Sequence, residues 1–377
     1  MTPLGARIAQ RIAQSRPISV AAYMAAALSD PEFGYYARRM PLGAEGDFVT
    51  APDISQMFGE LIGLWCVDLF EQLGSPEILR VVELGPGRGT LVADLWRVAA
   101  IRPEFQNAAR LRLVEMNPTL RMLQKTALQG VAAEWHTTFA AAAASDRSAQ
   151  DGAAQDGAAP LIVIANEFFD ALPVHQLVKT GSGWRERMVG FDSAAQAFFF
   201  VAAAEPTPIG VEVPPALHDA PPGSIFEIGL EACALMERIA ADIAASRGAA
   251  LVIDYGHGTS AIGDTLQAVR GHRYHDPLAD PGLADVTAHV DFAALIRAAE
   301  AKGVRCRGPA TQGEFLSRLG IAQRAERLSQ ARPDRAEEIS TALARLINGD
   351  KMGTLFKVLA VADPSLIPAG FDSDLDG

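Results

Sequence analysis

A doubly wound α/β fold is what this sequence predicts, and three observations carry the prediction. The β-branched run Arg80-Val81-Val82-Glu83-Leu84 passes straight into Gly85-Pro86-Gly87-Arg88-Gly89, and a helical pattern (Leu91, Val92, Leu95, Trp96) follows. A strand, a tight glycine turn and a helix in that order open a nucleotide-binding α/β unit. Two further runs, Leu161–Ala165 and Ala250–Ile253, are continuously apolar, as expected of parallel strands covered on both faces. Helical patterns separate these runs. The sheet should therefore be mainly parallel, with its ligand beyond the carboxyl ends of the strands.

Taken in order, residues 1–30 read as two helices broken near Arg16-Pro17, with Ser19 as N-cap of the second. Gly43–Phe58 lacks a period and reads as a loop, either a ligand-facing lid or a surface loop held down by Phe48. Phe58–Leu73 reads as a helix, followed by strand Arg80–Leu84 and helix Thr90–Val98. After a lengthened connection, Ile101–Arg110, come strand Leu111–Val114, helix Thr119–Leu128 and a short strand near Ala132–His136. Phe139–Pro160 is an alanine-, glycine- and aspartate-rich surface loop that cannot bury a core. Residues 176–204 alternate like an antiparallel meander, 205–223 is a Pro-rich linker, and Ile225–Ser246 reads as a helix. Beyond Ala250–Ile253 lie an excursion over 256–290, a helix Phe292–Lys302, a strand Val304–Gly308, helical material to Ile347 and a strand Thr354–Ala362. The domain expectation is a helical cap and lid over 1–75, a core over 76–175 and 225–362, and inserted strands and linker over 176–224. Acceptor-side insertions occupy 256–290 and 309–352, and an acidic tail occupies 363–377.

Nearly half of the 377 residues are hydrophobic, which suits a soluble globular protein with a substantial core. A formal net charge of −12 excludes non-specific nucleic-acid or anionic-membrane binding and favours a cationic ligand or basic peptide. Cys66, Cys233 and Cys306 are isolated from one another and from paired histidines, so neither a disulfide framework nor a metal site is expected. A reducing compartment fits. No apolar run reaches transmembrane length, so no membrane insertion is expected. The Arg-bearing first residues faintly resemble a presequence, but Leu4, Ile8 and Ile12 recur at helical spacing and favour a folded helix.

Chemistry concentrates at the strand ends. Gly85, Gly87 and Gly89 alternate as G-x-G-x-G, where a dinucleotide fingerprint would read G-x-G-x-x-G. With Glu83 just ahead, this spacing suits a ligand without a pyrophosphate and is the usual loop of S-adenosylmethionine-dependent methyltransferases. The turn and Thr90 let backbone amides approach the methionine end of such a cofactor. Glu83 would either attract its ammonium or tie down the loop. Glu115, closing the next strand, would accept the ribose hydroxyls. Asn166, Glu167 and Asp170 follow the strand Leu161–Ala165, where two carboxylates and an amide suit a planar, permanently charged guanidinium. The competing reading has Asn166 and Asp170 capping the next turn, and Phe168 and Phe169 belong to the core. Asp47, Thr50, Asp254, Tyr255 and His289 are candidate acceptor-side residues.

With these motifs in hand, the chain resembles the MidA-like family, bacterial homologues of the mitochondrial complex I assembly-factor arginine methyltransferase. The matching stretches include PEFGYY (31–36), GDFVTAPDISQMFGE (46–60), ELGPGRGT (83–90), VEMNPTLR (114–121), ANEFFDALPVHQ (165–176), DPGLADVTAHVDF (280–292) and MGTLFKVL (352–359). The resemblance implies a class I S-adenosylmethionine-dependent methyltransferase fold, Rossmann-like and mainly parallel, with an N-terminal helical cap and insertions. It implies S-adenosylmethionine as cofactor and a protein substrate, in the mitochondrial relatives a complex I quinone-arm subunit dimethylated symmetrically on arginine. By position it assigns Gly85, Gly87, Gly89 and Glu115 to the cofactor and Asn166, Glu167 and Asp170 to the acceptor motif. It implies a bacterial cytoplasm or, in a eukaryote, the mitochondrial matrix. The competing functions are a small-molecule N- or O-methyltransferase, a cofactor-binding assembly chaperone without turnover, and, most distantly, a Rossmann dehydrogenase.

Overall fold

A computed structural model describes residues 1–38, 50–144 and 158–372. Asp47, the first part of Gly43–Phe58, the middle of the alanine-rich segment and the end of the acidic tail lie outside the described residues. The chain divides into two units. The first comprises Met1–Phe48, Phe169–Leu235 and His257–Leu295, and the second Val49–Phe168, Met236–Gly256 and Ile296–Gly377.

The second unit is built on a sheet whose main path runs Arg305–Thr311, Phe356–Ala362, Gly248–His257, Leu161–Asn166, Leu79–Leu84, Ala109–Val114, Ala133–His136. Pairing is parallel from Gly248–His257 through to Ala133–His136, and Phe356–Ala362 runs antiparallel to both of its neighbours. Leu79–Leu84 and Leu161–Asn166 are buried along their whole length, as their unbroken apolar character requires. They lie side by side, with Glu83 opposite Ile164 and Leu84 opposite Ala165. The strand order reverses between them, and a fold of this kind opens its ligand crevice beyond their carboxyl ends. The core gathers Met57, Phe58, Trp65 and Phe70 with Leu91, Leu95, Leu113, Ile253 and Phe315.

Gly248 starts its strand at φ +131°, where a Cβ would stand 1.9 Å from the Leu161 carbonyl oxygen. Gly248→Ala combines a backbone conformation reserved for glycine with a clash against a neighbouring strand. It is expected to destabilise the protein by about 3 kcal/mol, read from the urea midpoint at unchanged slope.

Several local expectations give way to longer-range pairing. Ile225–Ile228 is a strand, not the start of the helix, which spans Leu230–Ser246. Its alternating Phe226 and Ile228 are buried while the backbone pairs antiparallel with His175–Val178. The connection after Ile101 contains a helix, Pro103–Ala108, whose Phe105 packs edge-on against Phe70 at 5.6 Å. The helix read from Phe58 starts at Gln56, capped by the Ser55 hydroxyl, and a short helix Ala51–Ile54 precedes it. The alanine-rich segment opens with a short helix, Phe139–Ala142, capped by Thr138.

The first unit opens with helices Pro3–Ser15, capped by Thr2, and Val20–Ser29, capped by the Ser19 side chain. Strands His175–Thr180, Gly183–Asp192 and Ala197–Ala202 pair antiparallel, and Ile18–Ser19 adds to Gly183–Asp192. Within 256–290, strands Gln267–Arg270, Arg273–His275 and Asp285–Thr287 form a small sheet. Among the described residues no helix is long and apolar enough to cross a membrane.

Candidate cofactor site and acceptor motif

The glycine turn is left-handed at each alternate position, with φ +59° at Gly85, +55° at Gly87 and +83° at Gly89. A Cβ on Gly85 would come within 2.8 Å of the Phe168 ring, so the turn and the start of the acceptor motif meet only because Gly85 has no side chain. Gly89 is the N-cap of helix Thr90–Ala99 and offers no side-chain cap, which leaves the first amides of that helix to other partners. The Thr90 hydroxyl donates to Asp53 Oδ1 at 3.1 Å, and the Thr50 hydroxyl donates to Asp53 Oδ2 at 3.3 Å. Asp53 thereby ties the described end of the Gly43–Phe58 loop to the helix start.

Glu83 is buried, and its Oε2 has no hydrogen-bond partner among the described residues. Burial alone pushes its pKa up to about 8. A carboxyl so placed is neutral at pH 7 until a donor or cation reaches it.

Glu115 sits half-buried at the end of Ala109–Val114, where Oε1 accepts from the Asn117 amide at 2.7 Å and Oε2 from Gln124 Nε2 at 3.2 Å. Burial raises its pKa, and these hydrogen bonds oppose the rise. Gln124 is fully buried; its Nε2 also donates to the Gly87 carbonyl at 2.8 Å, and its Oε1 accepts from Trp135 Nε1 at 2.8 Å. One side-chain amide thus joins the glycine turn to Glu115. Gln124→Leu preserves volume but leaves the Trp135 N–H unpaired. It is expected to cost about 1–3 kcal/mol of stability and to weaken S-adenosylhomocysteine binding roughly tenfold by calorimetry.

Asn166 and Glu167 close the strand Leu161–Asn166. Glu167 adopts φ +50°, a left-handed conformation that is uncommon outside glycine and concentrates at functional sites. Its Oε1 accepts from the Ala51 amide at 3.1 Å and from Asn166 Nδ2 at 3.3 Å, while Asn166 Oδ1 is buried with no hydrogen-bond partner among the described residues. Asp254 is fully buried, with Oδ2 accepting from the Phe168 amide at 3.1 Å and Oδ1 from the Tyr255 amide at 2.9 Å. Its carboxylate shapes the backbone that follows Glu167. Tyr255 packs edge-on against Phe356 at 5.6 Å. Asn166, Glu167, Asp254, Thr50, Thr90, Glu83 and Glu115 all belong to the second unit.

Asp170 and His289 belong to the first unit. Asp170 is buried, and its carbonyl accepts from the Ala288 amide at 3.0 Å. Burial, then Asp285 and Asp170, hold the Tyr36 hydroxyl well above its usual pKa, and that hydroxyl donates to Asp285 Oδ1 at 3.1 Å. Burial, reinforced by His257, lowers the His289 pKa.

Asp53 and Gln124 escaped the sequence reading. A buried-face glutamine four residues after Leu120, in an otherwise amphipathic helix, was the available signal for the latter. Nothing local marked Asp53.

Comparison with known proteins bears on the whole chain. Residues 61–310 match a family model described as "Putative S-adenosyl-L-methionine-dependent methyltransferase". The chain is 37% identical to the mitochondrial protein arginine methyltransferase NDUFAF7 of Danio rerio, over 94% of this chain and 85% of that one. It is 35% identical to the Homo sapiens protein of the same name, over 98% and 86%. A crystal structure of a Burkholderia thailandensis protein bound to S-adenosyl-homocysteine superposes with a TM-score of 0.81 at 29% identity, covering 98% of this chain and 92% of that one. The strand order, the glycine turn and these matches agree, and the chain belongs to the MidA-like family of S-adenosylmethionine-dependent methyltransferases.

Proposed function

We propose that this methyltransferase acts on arginine in a polypeptide. The observation that carries the reading is the near full-length identity to relatives named protein arginine methyltransferase. An amide and a carboxylate paired at the end of Leu161–Asn166 support it, because they match the forked donors of a guanidinium. We further infer symmetric dimethylation of a respiratory complex I quinone-arm subunit, and a reducing compartment, either a bacterial cytoplasm or a mitochondrial matrix.

The residues present fit S-adenosylmethionine. The uncapped start of Thr90–Ala99 and the turn through Gly85, Gly87 and Gly89 would receive its carboxylate. The orphaned oxygen of Glu83 would receive its ammonium, and Glu115 its ribose hydroxyls. Bound, it supplies an electrophilic methyl, whose transfer forms an N–C bond, breaks the S–C bond and leaves S-adenosylhomocysteine. Asn166 and Glu167 hold the guanidinium and aim one nitrogen lone pair. Glu167 accepts the proton that nitrogen loses and passes it to solvent. In the second unit, Thr50, Asp254 and Tyr255 act on the acceptor side, Asp254 by fixing the backbone at Phe168.

Incubation with methyl-tritiated S-adenosylmethionine and purified quinone-arm subunits tests this. Label on arginine in one subunit is the expected result. Label confined to a small product, or cofactor binding with no transfer, would overturn it.

A further inference from the structure

The short helix Ala51–Ile54 is hydrogen-bonded to both halves of the site, through its first amide to Glu167 and through Asp53 to Thr90. Thr50 is its N-cap. Pro52 has no N–H, and the Asp53 and Ile54 amides turn back on the Thr50 carbonyl at 3.0 and 3.2 Å. Within the helix that leaves the fully buried Ala51 to offer its amide outward, and the amide meets Glu167 Oε1 at 3.1 Å across 116 residues of chain. Thr50, Asp53, Thr90 and Glu167 all belong to the second unit.

Asp53 sets where that amide points. Its carboxylate accepts from the Thr90 hydroxyl on one oxygen and the Thr50 hydroxyl on the other, so it spans the first residue of helix Thr90–Ala99 and the N-cap of Ala51–Ile54. A helix of four residues has too few internal bonds to hold its own orientation. Glu167 needs the support, because a left-handed backbone persists only where its surroundings over-determine it. The Ile253 carbonyl takes its amide at 2.8 Å, Asp254 takes the next amide, and Asn166 and Ala51 fix Oε1. Of these bonds, the one from Ala51 comes from outside the paired strands Leu161–Asn166 and Gly248–His257.

We propose that Asp53 is a positioning residue for methyl transfer, bracing Ala51–Ile54 against the start of the cofactor helix and so holding the Glu167 carboxylate in the orientation that accepts the proton. The role rests on the reading of Glu167 as proton acceptor given above. It makes the donor end and the acceptor end of the site share one strut. An N–H donated to a carboxylate favours the charged, proton-accepting form, and without it the proton stays on to higher pH.

Hydrogen exchange read by mass spectrometry, with saturating S-adenosylhomocysteine, tests the strut without any acceptor. In Asp53→Ala and Thr90→Val the amides of residues 50–54 should exchange roughly tenfold faster. Asp53→Asn can accept from one hydroxyl and donate to the other, and should stay near the wild-type rate. Methyl transfer at saturating cofactor tests the role. Asp53→Ala should lower kcat by about 10–10² and move the acid limb of the pH–rate profile to higher pH, and Asp53→Asn should restore both. In a Glu167→Gln background Asp53→Ala should lower kcat no further. Unchanged exchange in folded Asp53→Ala and Thr90→Val overturns the strut. A loss of kcat that leaves the acid limb in place and adds fully to Glu167→Gln would show a merely structural role and overturn the proposal while sparing the arginine reading. Label on a small product in the wild type would overturn the arginine reading alone, since the acid limb is then read on that acceptor.

Discussion

Replacing Glu83 by glutamine should give a protein that is harder to unfold and poorer at holding its cofactor. Burial places the folded-state pKa at about 8, above the ~4.3 of an unfolded chain. Below the lower value both states carry the proton. Between the two, the unfolded state has released it and the native state has not, so native stability falls by about 1.4 kcal/mol per pH unit and levels off above pH 8. Glutamine has no proton to lose. In urea titrations the variant should match the wild type near pH 4.5 and exceed it by several kcal/mol at pH 8. A pH-independent difference would mean that Glu83 is already ionised in the fold. The cofactor side runs the other way. An ammonium on the orphaned Oε2 needs the anion, so S-adenosylmethionine binding by the wild type should release a proton and tighten as pH rises toward 8. In Glu83→Gln that dependence should vanish and the affinity should fall at least tenfold, or about 1.4 kcal/mol.

The second large effect is expected at the acceptor motif. Glu167→Gln should lower kcat by about 10²–10⁴, the range for a positioned proton acceptor, while S-adenosylhomocysteine affinity stays within a few-fold. Asn166→Ala should lower kcat less. Glu167→Gly separates chemistry from conformation. It relieves a left-handed φ of +50°, worth about 1 kcal/mol, yet removes the carboxylate. A variant at least as stable as the wild type and as inactive as Glu167→Gln is the expected outcome. Full activity in either variant would remove Glu167 from the reaction.

How much of this could be read in advance follows from the range of the forces involved. The strands Leu79–Leu84 and Leu161–Asn166 and the turn between Gly85 and Gly89 declare themselves locally, through burial on both faces and the need for positive φ. Glu83 and Glu115 could be proposed as site residues because a strand end places its polar residue by position alone. Ile225–Ile228 was misread because an apolar run leading into a helical pattern has no local boundary, and its partner His175–Val178 lies far back in the chain. Asp53 was invisible for the same reason: its tie to Thr90 spans 37 residues. Asp254 was visible as a polar strand end, but only the hydrogen bonds to the Phe168 and Tyr255 amides reveal what it holds.

The bridging amide of Gln124 has a consequence for anyone wishing to retool the enzyme. It contacts the Gly87 carbonyl, Glu115 and Trp135 at once. With Glu115 on the ribose as proposed above, enlarging that end for a bulky synthetic donor should pull on the same group that braces the glycine turn. The two ends cannot be redesigned separately. A successful orthogonal enzyme–cofactor pair would have to change positions 115, 124 and 135 together, and libraries randomised one site at a time would miss it.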